Sequence, residues 1–287
     1  MATFDYDTAF VRNLGWVTRH EQQRLRHSRV AIAGMGGVGG SHMLTLARLG
    51  IGAFTVADFD VFELHNMNRQ AGAMVSTLGR PKVDTVSRLA QDINPELDVT
   101  RFAEGVTEDN VDAFLKGADV YVDGLDFFTL EIRRTVFAKC RERGIPAVTA
   151  APLGMGAALL VFTADSPGFD DYFRLEGQSP GEQALRFAMG LAPTSQQFSY
   201  LAEAGHLDLE QQRGPSTAMG CELCAGVVAT EVLKLILNRG KVRPVPWVTH
   251  FDAYLGRLRR TWRPGGNGNP LNRLYLALAR RRFGITS

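Results

Sequence analysis

Through the first half of the chain apolar residues come in short runs, each closed by glycine, proline or a polar cluster. Arg29 to Ala33 is a β-rich run that enters glycines at 34, 36, 37, 39 and 40. Met43, Leu44, Leu46, Ala47 and Leu49 then recur at helical spacing, so this stretch predicts strand, glycine turn and helix. The next strand, AFTVAD, ends at Asp58. Gly79-Arg80-Pro81-Lys82 opens a helix over Val83 to Ile93, with proline near its first turn, and Asn94-Pro95 stops it. LDVTRFA then reads as strand, Glu108 to Lys116 as helix, ADVYVDGLD as strand, Leu130 to Arg143 as helix, and Ile145 to Ala150 and residues 154–163 as two further strands. Strand and helix alternating in this way predict an α/β fold, a Rossmann-like, doubly wound, mostly parallel sheet.

The pattern then dissolves. Residues 164–216 are rich in Gly, Pro, Ser, Gln and acid, with short helices expected around Glu182 to Met189 and Gln197 to Ala204. Residues 217–238 predict a buried helix, and WVTHFDAYLGRLRRTW a hairpin. The tail turns on PGGNGNP and ends in an amphipathic helix with Leu271, Leu274 and Leu278 on one stripe and Arg273, Arg280, Arg281 and Arg282 elsewhere. It reads as a helix packed on the body with a basic end, or as a surface for RNA, lipid or a partner. The expected organisation is a helical lead-in over 1–28, a nucleotide-binding core over 29–165, an irregular crossover over 166–216, a helix and β-hairpin over 217–263 and a basic tail over 264–287.

Chemistry gathers at the strand ends. A glycine turn lets backbone approach a phosphate closely, and the following helix offers it unpaired N–H groups and a positive dipole end. Gly34, Gly36 and Gly39 fit G-x-G-x-x-G, and Asp58 lies at the spacing of a ribose-binding acid, so a dinucleotide enzyme is one reading. FDVFELHNMNRQ follows, and Asn66, Asn68, Arg69 and Gln70 make a dense donor set where an open α/β sheet binds its ligands, with Lys82 near the same edge. An NAD site needs only a neutral loop for its pyrophosphate, whereas a displaced pyrophosphate accumulates charge that fixed cations and a metal stabilise; Arg69 and Lys82 therefore favour ATP. Asp123 and Asp126, at the end of one strand, suit Mg²⁺, with a helix cap as the alternative for Asp126.

A formal charge of +2 excludes a bulk nucleic-acid binder and makes any basic function local. The start, MATFDYDTAF, has no basic or apolar signal, and the most apolar helix, Ala218 to Leu237, is broken by Glu222, Glu231 and Lys234. The expectation is a soluble cytoplasmic protein without a transmembrane segment. Three cysteines give no disulfide framework, and six histidines show no metal-ligand spacing.

With these residues in hand, the chain resembles the ThiF/MoeB/ubiquitin-activating superfamily of adenylating enzymes. The resemblance covers residues 8–165 well and 217–263 more loosely. It rests on GMGGVGG, D-F-D at 58–60, N-M-N-R-Q at 66–70, Lys82 in G-R-P-K, I-N-P at 93–95 and D-x-x-D at 123–126. It implies ATP binding and attack of a carboxylate on the α-phosphorus, giving an acyl adenylate and pyrophosphate. In that scheme Gly34, Gly36, Gly37, Gly39, Asp58, Asp60 and Gln70 belong to the nucleotide site, with Gly37 at the phosphates and Asp58 at the ribose hydroxyls. Asn66, Arg69 and Lys82 contact phosphates, Asp126 holds Mg²⁺, and Arg12 reaches into a partner subunit's site, which implies a homodimer. Segment 166–216 has no cysteine, so adenylation without a covalent enzyme intermediate is expected. Cys221 and Cys224 read as core, and Phe127 stands where many relatives have asparagine. The expected substrate is the C-terminus of a ubiquitin-like or sulfur-carrier protein or of a peptide. Other readings are a tRNA threonylcarbamoyl-adenosine dehydratase, an NAD-dependent oxidoreductase and a non-catalytic nucleotide-binding scaffold.

Overall fold

The computed structural model describes residues 3–206 and 214–283. All its strands join one eight-stranded sheet: β1 (Arg29–Ala33), β2 (Ala53–Ala57), β3 (Asp98–Phe102), β4 (Val120–Asp123), β5 (Ala147–Leu153), β6 (Gly156–Phe162), β7 (Trp247–Asp252) and β8 (Arg257–Trp262), in the order β3-β2-β1-β4-β5-β6-β7-β8. The first five pair in parallel and the last three are antiparallel, so the parallel half matches the expected alternation and the hairpins extend it. β1 has β2 on one side and β4 on the other. The chain order reverses there, and such a switch point opens a ligand crevice at the carboxyl ends of the strands.

Helices cover both faces. On one, Val30, Ile32, Phe54, Val122 and Val148 pack with residues of α3 (Gly37–Leu49), α4 (Lys82–Ile93) and α9 (Ala218–Leu237). On the other, Ala31, Tyr121 and Leu160 pack with α5 (Val111–Phe114), α6 (Leu130–Glu142), α7 (Phe169–Phe173) and α8 (Pro180–Leu191), where Phe137, Phe162, Phe169, Phe173 and Phe187 form an aromatic cluster. Each such buried side chain contributes about 1.5–3 kcal/mol, which is why strands apolar at successive positions settle between two helical layers. Around this core sit the lead-in helices, α1 (Tyr6–Ala9) and α2 (Arg19–Arg26), the latter closed by a capping box between Thr18 and Glu21. Among the described residues no helix is long and apolar enough to cross a membrane.

Two expectations are corrected. In the crossover α8 meets the helix expected around Glu182 to Met189, but the one expected over Gln197 to Ala204 is reduced to single 3-10 turns at Gln196–Ser199 and Ala204–His206, and α7 is added, anchored by Arg134 on Asp170 (2.8 Å). In the tail helix, α10 (Pro270–Phe283), Leu271, Leu274 and Leu278 are exposed, while Asn272 and Leu276 are buried and Arg280 binds Glu182 of α8 at 2.9 Å. Burial of Glu182 opposes its ionisation, but Arg280 and Arg186 outweigh that and hold its carboxyl below the usual range. The helix thus docks through Leu276, Asn272 and a charged clasp, and not through the stripe of Leu271, Leu274 and Leu278.

Candidate nucleotide site

β1 delivers the chain into the glycine turn at the switch point. Gly34 has φ +86°, and a Cβ on it would lie 2.2 Å from the Gly124 carbonyl oxygen; on Gly39 it would lie 1.7 Å from the Gly34 carbonyl oxygen. These two glycines and Gly124 let β1, β4 and α3 meet backbone to backbone. Gly36 and Gly37 differ. A Cβ on Gly36 would meet nothing closer than the Gln70 side chain at 3.6 Å, and one on Gly37 would meet the Cys221 thiol at 3.3 Å and Arg69 at 3.8 Å. No backbone crowds either position, so their bareness leaves room above the N-terminus of α3, whose cap, Gly36, makes no side-chain bond. That open helix end is the arrangement that binds phosphate.

The polar residues after β2 form the rim. Asp58, at its end, accepts from the N–H groups of Met35 (2.6 Å) and Asp60 (2.8 Å), which ties it to the glycine turn, and burial raises its pKa despite those bonds. Arg69 lies beside Gly37 and is held by the His65 carbonyl (3.0 Å) and Asn68 (2.9 Å). Lys82, the first residue of α4, is buried, and its ammonium sits 2.9 Å from Asp60. The Asn66 side chain accepts from the Glu63 N–H at 2.9 Å and shapes the loop. Gln70 is buried beside Gly36, and its side-chain oxygen has no partner among the described residues. Asp58, Asp60, Asn66, Arg69, Gln70 and Lys82 are thus gathered around the glycine turn.

The two aspartates after β4 part ways, which corrects their reading as a joint cation site. Asp123 is buried and bound by Arg133 at 2.9 Å and the Thr149 hydroxyl at 2.8 Å. Arg133 is buried as well and reaches the carbonyls of Leu125 (2.7 Å) and Asp126 (3.0 Å), so it clamps the loop that carries Asp126. Asp126 is exposed, and among the described residues its carboxylate accepts only from the Phe128 N–H (3.0 Å). Arg133, which nothing in the pattern of α6 singles out, is the residue that positions this carboxylate. Phe127 packs on Phe187 of α8 at 5.1 Å, which joins the loop to the crossover.

The start of α9 closes the other side. Asn68 donates to the Ser216 carbonyl at 3.0 Å, and Ser41 of α3 to Glu222 at 2.8 Å. Cys221 and Cys224 are buried free thiols whose pKa burial raises. Arg12 is not in this group. Its neighbour Asn13 donates to the Leu49 carbonyl at 3.1 Å, at the far end of α3, about 18 Å along the helix from Gly37. Among the described residues no three His, Cys, Asp or Glu side chains group as a metal cage.

Fold and rim together define a doubly wound nucleotide-binding α/β protein. The chain belongs to the ThiF family, whose model matches residues 10–270. A tRNA threonylcarbamoyladenosine dehydratase of Bacillus subtilis is 35% identical over 150 residues, 52% of this chain and 57% of that one. A SAMP-activating enzyme E1 of Haloferax volcanii is 29% identical over 77% of this chain and 71% of its own. An Escherichia coli sulfur carrier protein ThiS adenylyltransferase is 32% identical over 50% and 56%. The match thus spans from little more than half to about 70% of these relatives' own length. Among solved structures, PaaA superposes with a TM-score of 0.67 at 20% identity, covering 91% of this chain and 74% of that one. E. coli MccB with ATP gives 0.61 at 18%, covering 84% and 65%.

Proposed function

We propose that the chain adenylates a carboxylate, taking ATP to an acyl adenylate and pyrophosphate without a cysteine nucleophile in the crossover. The observation that carries this reading is the pair of cations fixed around the bare glycines: Arg69 beside Gly37, and Lys82 buried against Asp60. Charge growing on a departing pyrophosphate is stabilised by cations already in place. Asn66, Arg69, Lys82 and the amides at Gly36 and Gly37 would hold the phosphates, and Asp58 the ribose hydroxyls. Asp126 fits Mg²⁺ in the mode of one carboxylate plus phosphate oxygens, since its carboxylate is exposed and nearly free. The favoured substrate is the C-terminus of a sulfur-carrier or ubiquitin-like protein, or of a peptide, which the activities named for two of the relatives support.

The position of Arg12, remote from its own glycine turn, and the exposure of Trp16 (84%), Phe59 (75%), Leu64 (75%) and Val75 (81%) support a homodimer in which Arg12 serves the partner's site. ATP–pyrophosphate exchange with candidate carboxylates tests the whole reading: Asp126→Ala and Arg12→Ala should each lose at least about 100-fold with unchanged melting temperature. Mixing the two variants should restore part of the activity through heterodimers with one complete site. Full exchange in Asp126→Ala would remove that residue from the chemistry.

A second reading, a carboxylate carried on tRNA, is favoured by the similarity to the dehydratase and by residues 239–287, which hold eleven Lys and Arg against one acid. It requires RNA-dependent exchange that weakens steeply with salt.

A further inference from the structure

α10 has two unlike faces, and polar bonds decide which of them meets the body. Asn272, Leu276 and Arg280, spaced by four, point inward. The Asn272 amide donates to the Gly266 carbonyl at 3.1 Å and its oxygen accepts from Arg263 at 3.2 Å, Leu276 is buried, and Arg280 binds Glu182 at 2.9 Å. Leu271, Leu274, Tyr275 and Leu278, at i, i+3, i+4 and i+7, form one continuous stripe on the outside, with Leu274 and Leu278 55% and 53% exposed. A helix that has only the body to meet turns such a stripe toward the core. Here the buried bonds of Asn272 and Arg280 hold the opposite rotation, so the stripe is kept in water, ready for a surface that covers it.

Charge distinguishes the candidate surfaces. Residues 253–287 hold eight arginines and no acidic residue, whereas the whole chain is only +2, so this end is strongly basic and the remainder is net acidic. Arg280 is occupied by Glu182. Arg273 and Arg281 are exposed on α10, and Arg281 lies one turn beyond Leu278 at the end of the stripe. A second copy of this face would set arginine against arginine. RNA phosphates would engage the arginines and leave the leucines in water. An anionic bilayer takes both, with guanidinium groups at the headgroups, leucines at the acyl boundary and the amphipathic tyrosine ring between them.

We propose that the outer face of α10 is a docking surface for an anionic lipid bilayer. The helix has 14 residues and is about 21 Å long, too short to cross the hydrocarbon layer, so it lies in the plane of the interface with the folded body above it. The surface is independent of the adenylation reading and would bring the site to a membrane whatever acid that site activates.

Flotation of the full chain with lipid vesicles tests it. The native protein should float with phosphatidylcholine vesicles that contain about 30% phosphatidylglycerol and stay behind with phosphatidylcholine alone. Leu274→Gln combined with Leu278→Gln should lower the partition coefficient at least about 10-fold, and Arg281→Gln about 5-fold, with unchanged circular dichroism and ATP affinity. Should the double variant fail to fold, Leu271→Gln alone should lower the coefficient about 5-fold. A native chain that floats with neither kind of vesicle, floats equally with both, or floats as well after the leucine substitutions overturns the proposal. Binding of oligouridylate in place of the vesicles would assign the face to RNA, and a native dimer split by the leucine substitutions would assign it to a second copy; either result overturns it as well.

Discussion

The parallel half of the sheet and the crossover above it solve the same problem differently. In the parallel half, position is set by contact: Gly34, Gly39 and Gly124 meet backbone to backbone, and Arg133 satisfies Asp123 and the loop behind it at once. In the crossover, α7 and α8 pack Phe169, Phe173 and Phe187 into the aromatic cluster, long polar anchors such as Arg134 to Asp170, Arg280 to Glu182 and Tyr200 to Asp252 fix the rest, and atoms between them remain unpaired among the described residues. The difference separates what a nucleotide-binding fold must keep, a cradle for a constant ligand, from what it can vary, a segment tied to the body at a few distant points.

The largest expected effect lies among the glycines. Gly39→Ala puts a methyl 1.7 Å from the Gly34 carbonyl and should leave no folded soluble protein, whereas Gly36→Ala should fold with unchanged circular dichroism and bind ATP at least about 10-fold more weakly by calorimetry. If both fold equally well, the division between structural and ligand-facing glycines is wrong. Next comes Arg133→Met, which strands a buried carboxylate and should cost about 3–5 kcal/mol in urea unfolding; adding Asp123→Asn should recover much of it, because the uncompensated charge is gone.

A smaller effect is set by pH. His42, in α3, has both ring nitrogens buried without partners among the described residues, and burial pushes its pKa down to about 3. The unfolded chain, with a histidine near 6.5, binds the proton that the folded chain refuses, so stability falls as pH drops below about 6.5 and reaches about 2 kcal/mol of loss by pH 5. His42→Leu should flatten that part of the unfolding profile; an unchanged slope would assign it elsewhere. Least is expected of Glu182→Gln in the crossover, about 1 kcal/mol, with the loss confined to the docking of α10 as read by hydrogen exchange.

The same comparison explains what could be read from the amino acids alone. Strands, glycine turn and the loop donors at 66–70 were legible because each depends on neighbours within a few residues. Asp123 misled because its partner lies ten residues on, in a helix where arginine ordinarily faces water. The tail misled because an amphipathic stripe is expected to turn inward, yet Glu182 gave α10 a charged anchor and left Leu271, Leu274 and Leu278 outside. The crossover resisted because α7 and α8 are short and what holds them, the aromatic cluster and the polar anchors, is long-range and leaves no periodic trace.

The central claim is that the bond broken lies between the α- and β-phosphates, with the substrate carboxylate attacking. Give the protein ATP, Mg²⁺ and whichever class of carboxylate supports exchange, labelled with oxygen-18 in the carboxyl group, and add hydroxylamine to release the acyl group. The account predicts pyrophosphate and AMP carrying one labelled oxygen. ADP with label in inorganic phosphate, or AMP without label, would contradict it.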